Sequence, residues 1–154
     1  MMNTKAAAVE PADRIRLHTR FGDLEADARN TLTFPEGLPG FENCRRFVLL
    51  SSDELAPLHC LHGLDGPPAS FLAIDQCLVL PKYRCVPSSE DRARLGADAD
   101  TQLVWLALVT IDANDQAWLN LRAPIVLNPV RMTGYQVIPR NTLYPLRHPL
   151  TITT

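Results

Sequence analysis

The sequence has no excess of either charge sign. It carries 15 Lys and Arg residues against 17 Asp and Glu residues, a formal net charge of -2. Because the charges nearly balance, no overall positive field attracts nucleic acid or an anionic membrane surface. We therefore expect neither of these as a direct partner, and a basic protein suits this charge balance better than RNA does.

Long hydrophobic runs are also missing. The longest, LVWLALVTI at 103–111, is much shorter than the roughly 20 residues that cross a bilayer as a helix. The N-terminal sequence MMNTKAAAVEPAD lacks the apolar segment of a secretory signal, because its apolar block ends at Val9. We expect a soluble, cytoplasmic protein with a disordered leader at 1–13 and one domain at 14–154.

Sequence motifs of the commonest enzyme classes are absent. The chain contains no G-x-S-x-G nucleophile elbow, no phosphate-binding Walker loop and no G-x-G-x-x-G dinucleotide fingerprint. These absences exclude many hydrolases, nucleotidases and dehydrogenases. We therefore predict that the protein is not an enzyme and uses no cofactor.

A concentrated set of metal-ligating residues occurs only in the segment HCLH. In a strand, Cys60 and His62 point to one face while His59 points to the other, so at most two of the three could share an ion. Cys77 and Cys85 could add ligands, but their spacing matches no C-x-x-C pattern. We predict no metal site, with structural zinc as the alternative, and we expect the four cysteines, including Cys44, to be buried free thiols.

What the sequence does contain is a series of short alternating runs. Polar and apolar residues alternate at 14–18 and 23–27 on either side of Phe21 and Gly22, which predicts a hairpin. A polar turn at 112–115 likewise joins two longer runs. Further strands are predicted at 30–34, 47–50, 58–61, 70–74, 103–111, 117–127 and 135–138.

Helical signals are few. The segment 87–96 has a serine as candidate N-cap, acids in its first turn, arginines in its last turn and a terminal Gly96. A weaker turn is possible at 51–55. Because strands outnumber helices and no helix regularly separates them, we predict an all-β fold, an antiparallel barrel-like or sandwich domain with one or two short helices.

Prolines mark places where the sheet is interrupted. Pro139, Pro145 and Pro149 predict an irregular C-terminal tail, and Pro124 indicates a bulge or an edge strand. Alternation in the segment around Pro124 puts Asn120 and Arg122 on one face and leucines on the other. An edge here could dock a partner strand, or the proline could simply mark the place where pairing stops.

The segment FPEGLPGFE at 34–42 predicts a stiff turn. Its prolines fix φ, its glycines allow positive φ, and its apolar residues Leu38 and Phe41 can attach it to the core. This architectural interpretation explains the composition. The functional alternative is that an ordered loop presents Glu36 and Glu42 to a partner at low entropic cost.

A direct RNA-binding module is the second functional hypothesis. Arg14, Arg16, His18 and Arg20 form a basic strand edge, and small β-barrels can bind single strands through such edges. Only Phe21 supplies an aromatic nearby, and acids follow on the next predicted strand. Trp105 and Trp118 lie in apolar runs, which favours a place in the core.

Two motifs in order resemble the FliW family of flagellar assembly factors. FPEGLPGFE at 34–42 follows RFGDLEAD at 20–27, while WLNLRAPIVLNP at 118–129 precedes GYQVI at 134–138 and LYPLRHPL at 143–150. The resemblance covers roughly 14–150.

The resemblance implies a cytoplasmic, non-enzymatic bacterial regulator with a β-barrel-like fold. FliW-like proteins bind flagellin, and when free of it they bind the RNA-binding regulator CsrA and relieve its repression of flagellin mRNA. We expect a monomer when unbound. Candidate partner-binding residues are Glu36, Phe41, Glu42, Asn120 and Arg122.

Overall fold

The computed structural model describes residues 14–67, 69–81, 86–138 and 144–150. The predicted leader at 1–13 lies outside these residues, as do Pro139 and Cys85. The strands are β1 (Arg14–Thr19), β2 (Gly22–Asp27), β3 (Thr31–Thr33), β4 (Arg46–Leu50), β5 (His59–Gly63), β6 (Ser70–Asp75), β7 (Val104–Ile111), β8 (Ala117–Asn128), β9 (Thr133–Gln136) and β10 (His148–Pro149). The helices are α1 (Gln76–Val79) and α2 (Ser89–Leu95), and a short 3-10 turn spans Ala28–Asn30.

Seven of the described strands close into a barrel. Their order is β8-β7-β6-β5-β4-β3-β9, and β9 pairs back onto β8. The predicted all-β, barrel-like fold is confirmed. One pairing departs from the antiparallel prediction, since β3 and β9 run parallel through Thr33 and Thr133, where the Thr33 amide donates to the Met132 carbonyl at 2.8 Å.

The barrel interior is an apolar cluster to which most of its strands contribute. Large side chains such as Phe34 and Phe47 fill its centre with no exposed surface. Gly134 supplies space rather than a side chain, since a Cβ there would lie 2.5 Å from the Phe34 ring. The other buried members are Leu32, Leu38, Cys44, Leu61, Ala73, Leu106, Ile125 and Leu127.

The β1–β2 hairpin covers one outer face of the barrel. The two strands pair from Arg14 opposite Asp27 to Thr19 opposite Gly22, which confirms the predicted hairpin. Ala26 packs with Val48 on β4 and Cys60 on β5. An isolated two-stranded hairpin is marginally stable at best. This hairpin is stable because one of its faces is buried against the barrel.

The C-terminal segment covers a second outer face. Leu150 packs with Leu119 and Leu121 of β8. The tail was expected to be irregular, but β10 pairs with β8, placing Pro149 opposite Trp118. An edge position tolerates a proline because its missing N–H is not needed there, and the next residue, Leu150, donates to the Ala117 carbonyl at 2.9 Å.

Helix α2 covers a third outer face and follows its sequence signals. Ser88 accepts a hydrogen bond from the Asp91 amide, Asp91 bonds back to the Ser88 amide, and Gly96 ends the helix at φ 67°. Leu95 packs against Val126 and Val137. The helical prediction for 87–96 is confirmed.

Helix α1 was not predicted. Asp75 caps it by accepting from the Cys77 amide at 2.8 Å. This single turn buries Gln76 completely and points Cys77 outward. The expectation of buried thiols is therefore correct for Cys44 and Cys60 and wrong for Cys77, because its environment is a surface turn rather than a strand.

Strand β8 contains a large bulge. The register with β7 jumps from Leu106 opposite Ile125 to Leu108 opposite Asn120, so residues 121–124 lie opposite a single residue. The predicted break at Pro124 is thus a bulge, which bends the strand. Beyond it β9 spans Thr133–Gln136, two residues earlier than predicted. No helix in the described part of the chain is long and apolar enough to span a membrane.

Candidate partner-binding surface

The FPEGLPGFE segment forms a hydrogen-bonded loop between β3 and β4. The Gly37 amide donates to the Phe34 carbonyl at 2.9 Å, and the Phe41 amide donates to the Leu38 carbonyl at 2.7 Å. Gly37 and Gly40 have φ of 63° and 84°, as the turn prediction requires. The architectural interpretation is confirmed.

Phe41 lies at the surface of this loop. Leu38 is only 3% exposed and attaches the loop to the barrel core, whereas Phe41 keeps 40% of its surface exposed. The Phe41 ring meets the Phe71 ring edge to face, at 5.1 Å and 89°. The expectation that Phe41 anchors the loop in the core is therefore wrong in part, because its ring packs on Phe71 and stays partly exposed.

The two predicted acidic residues of the loop are both exposed. The Glu42 carboxylate accepts from the Gly40 amide at 3.0 Å. This bond, with a further one from its own amide, lowers the pKa of Glu42 below its ordinary value. Glu36 lies near Tyr135 on β9, since its charge adds to the effect of burial in raising the pKa of that phenol. Glu42 is therefore charged at neutral pH.

An open groove runs from the Phe41 loop to the end of β1. It has a volume of about 480 Å³. The aromatic pair described above lines it, together with the end of β1, the residue after it and the start of β6. The lining residues are His18, Thr19, Arg20, Phe41, Ala69, Ser70 and Phe71.

Most polar atoms in this groove are already bonded. The Thr19 hydroxyl donates to the Gly22 carbonyl at 2.7 Å and accepts from the Phe21 amide at 3.0 Å. The Ser70 hydroxyl accepts from the Arg20 amide at 3.3 Å and shares a hydrogen bond of 2.7 Å with His62 Nδ1. These bonds tie the hairpin end to strands β5 and β6.

Asn120 and Arg122 have a different environment. Asn120 Oδ1 accepts from the Arg122 and Ala123 amides at 3.0 and 3.1 Å, which shapes the β8 bulge. Arg122 Nε donates to the Tyr144 carbonyl at 3.1 Å. Their bonds therefore go to β8 itself and to the C-terminal segment, not to the Phe41 loop. The five predicted site residues do not form one hydrogen-bonded cluster.

The tryptophans differ in surroundings. Trp105 packs against the cluster of Leu95, Val126 and Val137. It is half-buried, so the core prediction is correct only in part. Trp118 is also half-buried, but the Arg147 guanidinium stacks on its ring at 3.9 Å. Trp118 Nε1 donates to Asp112 Oδ2 at 2.9 Å. This stack fastens the C-terminal segment to the β7–β8 turn.

Acids on β2 face two of the four basic residues at the β1 edge. Arg14 lies 3.3 Å from Glu25, and His18 Nδ1 lies 2.6 Å from Asp23. Facing acids leave little positive charge for a phosphate backbone. The pairing favours a solvated strand face over the RNA-binding hypothesis.

The HCLH residues bond to separate partners. His59 Nδ1 bonds to the Ser51 hydroxyl at 2.7 Å, His62 bonds to Ser70, and Cys60 packs beneath the hairpin. Burial raises the pKa of the Cys60 thiol and lowers that of His62. Within the described residues, no group of three or more potential ligand side chains could hold a metal ion.

The loop, the bulge and the groove all fall within a region that matches known proteins. The family model described as "FliW protein" matches residues 16–150. The chain belongs to the FliW family. It is therefore a flagellar assembly factor, and the family is not an enzyme family. The resemblance drawn from the two ordered motifs is confirmed.

Individual relatives match over nearly their whole length. The flagellar assembly factor FliW of Syntrophotalea carbinolica is 36% identical over 132 residues, covering 86% of this chain and 94% of the relative. That of Natranaerobius thermophilus is 33% identical over 132 residues, covering 84% and 87%. A crystal structure of the flagellar assembly factor FliW superposes with a TM-score of 0.78 at 29% identity, covering 90% of this chain and 98% of that one.

Sequence reasoning did not identify the groove. Phe71 stands in an apolar strand run, and nothing in its neighbours indicates that it meets Phe41. Arg20 was assigned to a basic edge, whereas its amide bonds to Ser70 on β6. Both contacts join segments that are distant in sequence, so no local pattern could have revealed them. The one available signal was an aromatic residue in a Gly- and Pro-rich loop.

Proposed function

We propose that this chain binds flagellin and, when free of it, binds the translational regulator CsrA and relieves CsrA repression of flagellin mRNA. The observation that carries the proposal is the family match over 16–150, together with relatives named as flagellar assembly factors. In this proposal the protein acts in the cytoplasm, is a monomer when free, and contacts neither nucleic acid nor membrane directly.

Mutually exclusive binding gives the regulation its logic. Flagellin that accumulates occupies the chain and lowers the fraction available to CsrA, so the apparent affinity for CsrA falls by mass action. When flagellin is exported, the freed chain binds CsrA. No enzymatic step is needed, because each ligand acts only through competition for the same protein.

The surface offers chemistry for both partners. Glu36 and Glu42 are exposed carboxylates on an ordered loop, which suits a basic RNA-binding protein such as CsrA. Phe41 offers exposed apolar surface on the same loop, which suits flagellin segments that bind through apolar contacts. Asn120 and Arg122, at the β8 bulge, form a second proposed contact region.

Binding and competition can be measured together by calorimetry. Flagellin and CsrA from the same organism are each titrated into the purified chain, and then CsrA is titrated into the chain saturated with flagellin. We expect two complexes, and a much weaker CsrA signal in the saturated sample. A chain that binds neither protein, or that binds both at once with undiminished affinity, contradicts the proposal.

A charge reversal on the loop tests where CsrA binds. In Glu36→Lys an attractive charge becomes repulsive, so the affinity for CsrA should fall roughly threefold to tenfold. Glu54→Lys is the matched control, because Glu54 is exposed but lies in the turn before β5. Equal effects of the two substitutions would show that only net charge matters.

A further inference from the structure

The groove beside Phe41 has a combination of chemistry that the proposed function leaves unexplained. An aromatic pair lines it, and one ring of this pair is 40% exposed. Arg20 also lines it, and so does His18, whose Nδ1 lies 2.6 Å from Asp23. None of the described lining residues is acidic, so Arg20 brings an unpaired positive charge to an aromatic surface.

Arg20 supplies hydrogen-bond donors to the groove. The hydroxyls of Thr19 and Ser70 are both engaged, as described above. The Arg20 guanidinium stands 5.5 Å from the centre of the Phe21 ring, and among the described residues no carboxylate pairs with it. A ligand atom that bonds to the Arg20 guanidinium must be an acceptor, and a carboxylate is the acceptor that suits a guanidinium best.

We propose that the groove between Phe41, Phe71 and Arg20 binds a protein segment in which a large apolar side chain is next to a carboxylate. The apolar side chain lies on the Phe41–Phe71 pair, and the carboxylate bonds to Arg20. The inference rests on the proposed function in one respect: it takes the chain to be a protein-binding factor. Of the two proposed partners, this chemistry fits flagellin, which is proposed to bind through apolar contacts. It does not fit CsrA, which is basic.

The rigidity of the groove supports this role. Phe41 is held by a loop with three internal backbone hydrogen bonds of 2.7 to 3.0 Å. The opposite wall is fixed through Arg20, Ser70 and His62. Because both walls are ordered before binding, little conformational entropy is lost when a segment docks.

A single-stranded RNA is the competing occupant, since exposed aromatic and arginine side chains can also bind bases. The structure favours the protein segment. Two other basic residues of the hairpin face acids, Arg14 facing Glu25 and His18 facing Asp23, which weakens the positive field that a phosphate backbone needs. The chain as a whole is also slightly acidic.

Capped pentapeptides test the chemistry directly. Two peptides share a central phenylalanine, flanked by aspartates in one and by lysines in the other, and each is titrated into the isotopically labelled full chain. The aspartate peptide should shift the amide NMR signals of Arg20, Phe41, Ser70 and Phe71. The lysine peptide should bind several-fold more weakly. No shift at a peptide concentration of about 5 mM, or equal shifts by both peptides, overturns the proposal.

Two variants with a control test the named residues. Arg20→Gln should weaken the aspartate peptide about threefold, and Phe41→Ala about tenfold. Leu78→Ala removes another exposed apolar side chain, 64% exposed on α1, and should change nothing. A short polyuridine RNA at low salt should leave the groove signals unmoved; if it shifts them as the aspartate peptide does, the occupant is RNA and the proposal is wrong.

The same variants separate this inference from the proposed function. Arg20→Gln and Phe41→Ala should weaken flagellin binding and leave CsrA binding unchanged. If both variants retain full flagellin affinity, the groove inference fails while the proposed function stands. If the unmodified chain binds neither flagellin nor CsrA, the proposed function fails, and the peptide titration still decides what the groove binds.

Discussion

Gly37 and Gly40 have similar backbone conformations in very different surroundings. Both have positive φ, so an L side chain at either position is strained. A Cβ at Gly37 would lie 2.6 Å from the Phe41 carbonyl oxygen and 2.8 Å from the Glu42 Cα. A Cβ at Gly40 would meet nothing within 4 Å. A side chain at Gly40 would therefore meet backbone strain alone, whereas one at Gly37 would meet backbone strain and a steric clash.

Substituting alanine at each glycine should destabilise the protein unequally. Gly40→Ala should lower the free energy of unfolding by about 1 kcal/mol, from strain alone. Gly37→Ala should lower it by about 2 kcal/mol more, because backbone atoms cannot move aside cheaply. Equilibrium urea unfolding measures both. Equal losses would mean that the loop relaxes freely and is not the stiff element described.

The sequence predicted the turn but not the destinations of its side chains. Proline and glycine act on their own φ, so FPEGLPGFE was sufficient to predict a stiff loop. Whether an apolar residue in that loop is buried depends on what lies opposite. Leu38 packs in the barrel interior, while Phe41 packs edge to face with Phe71, and no local pattern distinguishes the two.

At the scale of elements, the N-terminus of α2 is set by one capping residue. Two adjacent serines precede the helix in sequence, and the signals did not distinguish them. In the structure Ser88 is the N-cap, and its hydroxyl accepts from the Asp91 amide at 3.0 Å. Ser89 is the first helical residue and is exposed. Only the first hydroxyl satisfies an otherwise unpaired amide.

Alanine substitutions at the two serines should therefore have different effects. Ser88→Ala should lower the unfolding free energy by about 1 kcal/mol, because it removes half of the capping box. Ser89→Ala is the control and should change it by less than about 0.5 kcal/mol, as surface substitutions usually do. Thermal or urea unfolding reports both values. A larger effect at Ser89 would show that Ser88 is not the N-cap.

Element prediction succeeded where the cause is local. The β1–β2 hairpin and the long β7–β8 hairpin follow from alternation around a turn, and Pro124 correctly indicated a bulge. Helix α1 and strand β10 were missed. The former is a single turn with one cap, and the latter holds only His148 and Pro149 against β8, so pairing with a distant strand overrides the local preference.

At the scale of the whole molecule, ionisable groups link stability to pH in two ranges. The Arg46 guanidinium lowers the pKa of Asp65 below its ordinary value of 3.8. Trp118 Nε1–H, followed by the Gln116 amide, does the same for Asp112. Such carboxylates stabilise the fold above the unfolded pKa and lose this contribution as pH falls through the folded pKa. Burial lowers the pKa of His62 below 6.5. As the pH falls, His62 therefore binds a proton in the unfolded chain before it does so in the folded chain.

Acidification should therefore weaken the protein in two steps. Between pH 7 and 5 the loss should come from His62, with a slope of at most about 1.4 kcal/mol per pH unit for one proton. His62→Asn should flatten this range, since asparagine cannot take up a proton there. Below about pH 4 both proteins should lose stability in parallel, because their carboxylates are identical. Urea unfolding across pH measures this, and an unchanged slope above pH 5 would contradict it.

Closure of the barrel lay beyond sequence reasoning. The alternatives were a barrel or a sandwich, and the choice depends on whether β9 meets β3. That contact is one parallel register pair, Thr33 with Thr133, and it includes the hydrogen bond from the Thr33 amide to the Met132 carbonyl. The two segments are far apart in the chain, and neither contains a sequence pattern that predicts pairing with the other.

The single parallel contact between β3 and β9 also sets an order of events during synthesis. A ribosome releases β3 before β4 to β7 and releases β9 after them, so β4 to β7 can already pair with their sequence neighbours while β9 is still missing. Until β9 emerges, the nascent sheet carries β3 as an open edge, and such edges recruit other strands. The growing chain is thus most exposed to mispairing until β9 has emerged, and it is protected once the ring closes.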